Sequence, residues 1–366
     1  MSDAPALKDF VDADLVERLA ARVKAVHPQF PSEHFHAAVL ARLQELELKD
    51  RIGLIADELA AHLPPEFPAA VAVVVAAADH PDPPIDGWGA WPLNTFVERF
   101  GVAHPRESLD AMERLTRHAS SEFAIRPFLE QHREDTFARL DRWVDSDDEA
   151  LRRLASEGTR PLLPWGPRVT GLREDPEPGL SLISRLVEDP SETVRRSVAN
   201  HLNDVSKDHP ERAVAVAREW MERGGADVAK LVAHGLRTLV KRGNAGALAV
   251  LGFAIEADVT VLEFGCSPDE VAIGEHTVVS GRLRCDGEVR RRYVVDLVVH
   301  YVKANGATSP KVFKGKVVEL GPGDEAEVRR KLSLADMSTR THHPGTHRVE
   351  LQVAGTVVAA VDFELA

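Results

Sequence analysis

The chain is poor in cysteine, has no long apolar run and is short of positive charge. Two cysteines among 366 residues, Cys266 and Cys285, lie 19 apart. There is no Cys-x-x-Cys spacing and no Cys/His quartet, so neither a structural zinc site nor a disulfide framework is indicated. A single bridge between the two stays open if they sit on paired strands. No apolar stretch reaches the roughly 18 residues that span a bilayer. The longest, Ala69 to Ala78, stops at Asp79 and reads as a buried helix. The N-terminal Met1-Ser2-Asp3-Ala4-Pro5 lacks the basic segment and apolar core of a secretory leader. The expectation is a soluble, cytoplasmic chain without a membrane partner. A net charge of −13 counts against simple electrostatic binding of nucleic acid, unless arginines gather on one face and carboxylates on another.

Several chemical signatures are also missing. His34-x-His36 and His342-His343 with His347 have spacings a metal can use, but no carboxylate or cysteine cluster accompanies them. Gly224-Gly225 and Gly321-Pro322-Gly323 lack the Lys-Ser/Thr of a phosphate loop and read as turns. No metal and no cofactor is expected.

What is present is helical repetition. Asp189-Pro190-Ser191-Glu192 reads as a helix start, Val194, Val198 and Leu202 as one apolar face, and Pro210 as the stop. Shifted by 34 residues, Val198 to Leu202 falls on Val232 to Leu236; shifted back by 43, Val194-Arg195-Arg196 falls on Leu151-Arg152-Arg153. Such spacings belong to paired-helix solenoids, in which each pair buries its apolar face on the next. Earlier in the chain, helices are expected over Asp12 to Val26, Glu33 to Leu43, Arg51 to His62, Pro68 to Asp79 and Thr95 to Gly101. The loop Gly87-Trp88-Gly89-Ala90-Trp91-Pro92 carries two tryptophans, either a stacking platform or packing beneath a loop, with packing the expected role. Beyond Asp258 the period changes to two, with strands over Val259 to Phe264, Val278 to Arg284, Arg292 to Val302, Lys311 to Leu320, Glu327 to Leu334, Gly345 to Val353 and Val357 to Leu365. An Asn305-Gly306 turn joins two of them. The fold expected is an α-solenoid of HEAT-like repeats over residues 1–257, followed by an all-β immunoglobulin-like sandwich over 258–366.

Three helical stretches, Ser120 to Phe128, Ala155 to Trp165 and Val194 to Lys207, with Tyr301 to Gly306 in the strand region, resemble the AlkC branch of the alkylpurine DNA glycosylases, HEAT-like proteins related to AlkD. The resemblance spans most of the chain. It implies hydrolysis of the N-glycosidic bond of N3-methylated bases, chiefly 3-methyladenine and 3-methylcytosine, in duplex DNA, with the lesion left in the stack instead of flipped; separately, a monomer is expected. Carried onto this chain, it places Glu122, Glu157 and Asp204 as carboxylates facing the damaged nucleotide, Trp165 against its sugar and backbone, and Arg160 as a neighbouring DNA contact. Arg126, Arg152, Arg153, Arg195, Arg196, Lys207 and, in the strand region, Lys303 are candidate DNA-binding residues.

The chemistry suits these residue types. An N3-methylated base is cationic and leaves neutral, so the demanding part is the oxocarbenium-like sugar, which carboxylates stabilise while they activate water. An indole beside that sugar adds a cation–π attraction of about 0.5–2 kcal/mol. Each assignment has a plainer competitor. Glu122 is also what a first helical turn after a Ser121 cap would carry, Asp204 a solvated helix end, Trp165 a loop plug, and Arg195-Arg196 a solvated helix face. Arg290-Arg291-Arg292 suits either a DNA contact or a guarded strand edge. The rival to the enzyme is a non-catalytic HEAT/Ig-like scaffold that binds DNA or protein.

Overall fold

The computed structural model describes residues 6–85, 87–337 and 340–366; the N-terminal segment judged against a secretory leader, residues 1–5, lies outside them. The chain forms two compact units, Met1–Asp208 and His209–Ala366.

The first unit is helical. Among its described residues the helices are α1 (Ala13–Val26), α2 (Ser32–Leu43), α3 (Leu48–His62), α4 (Phe67–Asp79), α5 (Trp91–Phe100), α6 (Pro105–Leu115), α7 (Arg126–Gln131), α8 (Arg133–Trp143), α9 (Glu149–Glu157), α10 (Thr170–Glu174), α11 (Glu177–Arg185) and α12 (Glu192–Asp208). Local chemistry sets their ends. The Asp12 carboxylate caps α1 by accepting from the Leu15 amide at 2.9 Å, and Asp148 caps α9 through the Ala150 amide at 2.9 Å. Proline opens α4, α5, α6 and α7 in the first turn, where its missing N–H costs nothing. The apolar face read from the sequence is the buried one, with Val194, Val198 and Leu202 fully enclosed. The run Ala69 to Ala78 is the buried body of α4.

The second unit begins with α13 (Pro210–Arg223), α14 (Ala226–Gly235), α15 (Arg237–Lys241) and α16 (Ala245–Val250). Pro210 thus closes one helix and opens the next. Among the described residues eight strands follow: β1 (Val259–Ser267), β2 (Glu270–Val271), β3 (His276–Cys285), β4 (Arg291–Val302), β5 (Thr308–Leu320), β6 (Glu325–Ser333), β7 (Gly345–Val353) and β8 (Thr356–Leu365). They form a sheet in the order β1-β3-β6 and another in the order β2-β8-β7-β4-β5, antiparallel except where β2 meets β8. Alternation along β3 and β7 sends every second side chain inward, and Val279, Leu283, Leu297, Val299, Leu351 and Phe363 fill the core. Leu248 of α16 and Ala254 join that core, so the last helix packs with the strands. This is a helical-repeat region followed by an immunoglobulin-like sandwich. The two-residue β2 is too short to show as alternation. Gly306 adopts φ +76° in the expected turn. Cys266 and Cys285 are both free thiols; Cys266 pairs across with Val279 and Cys285 with Val259, at opposite ends of the β1–β3 ladder.

Candidate active site and its relatives

The site begins at the end of α9. Arg153 and Glu157 stand four residues apart on one face of this helix, and the chain then turns through Gly158 and Thr159 to Arg160. The Arg160 guanidinium bridges two carboxylates from different elements: Nη1 donates to Glu157 Oε1 at 2.6 Å and Nε to Asp204 Oδ2 of α12 at 2.9 Å. Glu157 Oε2 accepts from the Ser197 hydroxyl at 2.6 Å, and Asp204 Oδ1 from Lys207 Nζ at 3.0 Å. Burial alone would lower the Arg160 pKa, yet the attraction of Glu157 and Asp204 raises it. One turn back, Arg153 Nη1 donates to Glu122 Oε2 and to the Ser120 hydroxyl, both at 2.9 Å. Glu122 lies in the turn ahead of α7, so it is not the first-turn helix residue its sequence context also allowed.

Glu122, Arg153, Glu157, Arg160 and Trp165 line one cleft of about 440 Å³. Asp204 stands behind Arg160, 2 % exposed, and touches the cleft through that guanidinium. Arg160, expected as a DNA contact, is therefore a clamp on Glu157 and Asp204. His201, one turn before Asp204 on α12, is buried beside this network. Burial pushes its imidazole pKa down to about 4, although its Nδ1–H donates to the Ser156 carbonyl at 3.0 Å, so the ring is neutral near pH 7.

Trp165 is 56 % exposed and has φ +66°. A bulky residue in the left-handed region costs about 1–3 kcal/mol and persists only where its surroundings over-determine it. They do so here. Lys49 Nζ donates to the Trp165 carbonyl, and Trp88 packs on its indole at 6.2 Å between ring centroids. The loop on both sides is held by Arg126, whose Nη1 donates to the Gly158 and Arg160 carbonyls at 3.0 Å each and whose Nε donates to the Pro167 carbonyl.

This corrects the expectation of a phosphate contact at Arg126. It is 1 % exposed, and burial together with the like charge of Arg160 lowers its pKa to about 10, still cationic at neutral pH. Its signal in the sequence, an arginine directly before proline at a helix start, does not separate strut from ligand. Arg152 is a second internal tie, giving Nε to the buried Asp189 at 2.6 Å and Nη1 to the Ser146 and Asp147 carbonyls at 2.9 Å each. Arg195 donates to the carbonyls of Asp189 and Pro190. Arg196 is exposed and pairs with Glu192 at 3.0 Å. Lys303 is exposed in the β4–β5 turn of the second unit. Among the described residues no group of three or more His, Cys, Asp or Glu is placed to hold a metal, and no helix is long and apolar enough to cross a membrane.

A helical-repeat unit with buried carboxylates, followed along the chain by a sandwich, is a recognisable class. A family model described as "DNA alkylation repair enzyme" matches residues 116–226, and one described as "Uncharacterised protein YhaZ, C-terminal Ig-like domain" matches residues 260–366. The uncharacterized protein YhaZ of Bacillus subtilis (strain 168) is 33 % identical over 360 residues, covering 98 % of this chain and 99 % of that one. The structure of the Pseudomonas fluorescens alkylpurine DNA glycosylase AlkC, bound to DNA containing an abasic site analog, superposes with a TM-score of 0.91 at 35 % identity, covering 99 % of this chain and all of that one. The chain belongs to the AlkC-type alkylpurine DNA glycosylases, with their C-terminal Ig-like domain.

Proposed function

We propose that this chain is a monomeric, cytoplasmic base-excision glycosylase that removes cationic N3-alkylated bases, 3-methyladenine and 3-methylcytosine, from duplex DNA without flipping them. The carrying observation is the cleft itself, where Glu122, Glu157 and an exposed, conformationally strained Trp165 converge. In the reaction the C1′–N bond breaks and its electron pair leaves with the base, which departs neutral because it was cationic. The sugar passes through an oxocarbenium-like state, and water adds at C1′ while a carboxylate takes its proton. Glu157 and Glu122 supply negative charge to that state, and Asp204 holds Arg160, which sets the angle of Glu157. Trp165 lays an indole against the sugar. Arg196, Lys207 and Lys303 serve as phosphate contacts that hold the duplex in register without reading sequence.

Three carboxylates in this network face three cations, Arg153, Arg160 and Lys207. Pre-paired acids suit a site that must hold negative charge out of water before substrate arrives, since an unpaired buried carboxylate would protonate instead. The test is release of free base from methylated duplex DNA. Wild type releases 3-methyladenine, whereas Glu157→Gln and Asp204→Asn bind the duplex and release far less. No release by wild type under conditions where the DNA is bound sinks the enzyme and leaves a binding scaffold.

A further inference from the structure

The tryptophan loop, which reads from sequence as packing, forms a wall of the same cleft. Gly87 to Gly89 make a single helical turn before α5, pinned by the Gly87 amide donating to the His118 carbonyl at 2.8 Å. Gly89 packs so closely on α1 that a Cβ there would meet Leu15 Cδ1 at 2.9 Å. The turn is thus held from two sides, and it presents Trp88 and Trp91 half-exposed. Trp165, Trp88, Trp91 and Phe123 follow one another ring to ring, with centroid separations of 6.2, 5.4 and 5.1 Å. All four line the cleft that also holds Glu122 and Glu157. A loop that only needed to pack would bury its indoles; this one spreads them along an open face.

Charge makes the wall matter. Glu157 and Asp204 are each bonded to Arg160, and Glu122 to Arg153, so much of the carboxylates' pull on a cation is offset inside the protein. Ring faces carry negative potential that no arginine of the network neutralises, because Arg153 and Arg160 are already committed to oxygen partners. Lys49 Nζ lies over the Phe123 ring at 5.9 Å, at the far end of the row, so the faces of Trp88 and Trp91 give the cleft a second source of attraction for positive charge beside the acids.

From this we infer that Trp88 touches the substrate and stabilises the cation developing on the deoxyribose, with Trp91 packed tilted against it and Phe123 stacked on Trp91 as positioning residues that hold its angle. The inference rests on the glycosylase reading for its substrate, yet its central test does not need turnover. Two duplexes serve as probes, one with a pyrrolidine at the abasic position, protonated at neutral pH, the other with the neutral tetrahydrofuran. Wild type should favour the cationic duplex, and Trp88→Leu, which keeps bulk but removes the ring, should reduce that preference by about 2- to 30-fold, with Trp88→Phe between. Mono- and difluorotryptophan placed site-specifically at 88 should lower the preference stepwise as the ring face loses electron density. Fluorination at Trp143, buried in α8 with its Nε1 donating to Glu113 at 2.9 Å, should not. A Trp88→Leu protein that keeps the wild-type ratio, or a flat fluorine series, overturns the role for Trp88. Absence of base release by wild type counts against the glycosylase reading alone, because the ratio of probe affinities is measured without it.

Discussion

The helices α1 to α5 and the pair α9 and α12 bury their inner faces in different ways. In the first group the enclosed side chains are mostly apolar, among them Leu15, Leu19 and Val23 on α1, Val71 and Val74 on α4, Phe96 and Val97 on α5, and the buried Arg22 and Arg51 spend their guanidiniums on backbone carbonyls. On α12 the buried face carries Ser197, His201, Asn203, Asp204 and Ser206 among its aliphatics, facing Ser156, Glu157 and Arg160. An apolar layer gains from every methylene removed from water, whereas a polar one gains only where each donor and acceptor finds a partner. Here they do, through Ser197 to Ser156 and Glu157, and Arg160 to Glu157 and Asp204. Polarity concentrated between two adjacent helices, at a cost to easy packing, marks where chemistry is housed.

That contrast can be broken from either side. Phe96→Ala removes a ring stacked on Phe67 at 5.8 Å and should cost about 3–5 kcal/mol of stability in chemical denaturation, as large-to-small core changes do. Among molecules that remain folded, excision should proceed at close to the wild-type rate. Glu157→Gln should do the reverse. Its single-turnover excision should fall by about 100–1,000-fold, the usual toll for removing one preorganised electrostatic group. Its unfolding midpoint should move less than that of Phe96→Ala, and an equal rate in this variant would show that the polar layer is structural only.

A pH experiment sharpens the same comparison. Burial pushes the folded pKa of His201 down to about 4 from the ordinary imidazole value of 6.5. The unfolded chain therefore binds a proton below pH 6.5 that the native protein refuses until about pH 4. Stability should be unaffected by this group above pH 6.5 and should fall as the solution is acidified through that window. Between pH 6.5 and 5 the loss should be about 2 kcal/mol. His201→Gln should flatten that limb in urea titrations across pH, while any variant confined to α1–α5 leaves it intact. The smallest effect is expected at the surface: Arg196→Ala, which breaks an exposed pair with Glu192, should shift stability by less than about 0.5 kcal/mol. On the proposed reading it should weaken DNA binding and lower the salt dependence by about one counterion.

Much of the architecture was legible in the residues. The i, i+4, i+8 face Val194, Val198, Leu202 and the period-two runs of the strand region follow from the backbone geometries of helix and strand, and the observed ends differ from the read ones by a few residues. Glu122, Glu157 and Trp165 come together in one cleft. The partners of the arginines were not legible. Arg126 and Arg160 look alike in the chain, each a cation beside a proline, yet one serves carbonyls and the other carboxylates.

Sequence alone determined which segments are helix or strand, the order of helical repeat and sandwich, and the kinds of group available for the chemistry, because periodicity, caps and turn residues act over neighbours. Tertiary structure alone decided that Arg126 props the Trp165 loop, that Arg160 joins Glu157 to Asp204, 44 positions beyond Arg160, and that two tryptophans from an unassuming loop line the cleft that holds the acids. Those outcomes depend on which faces meet when helices stack, and no local pattern records where a long side chain finds its partner.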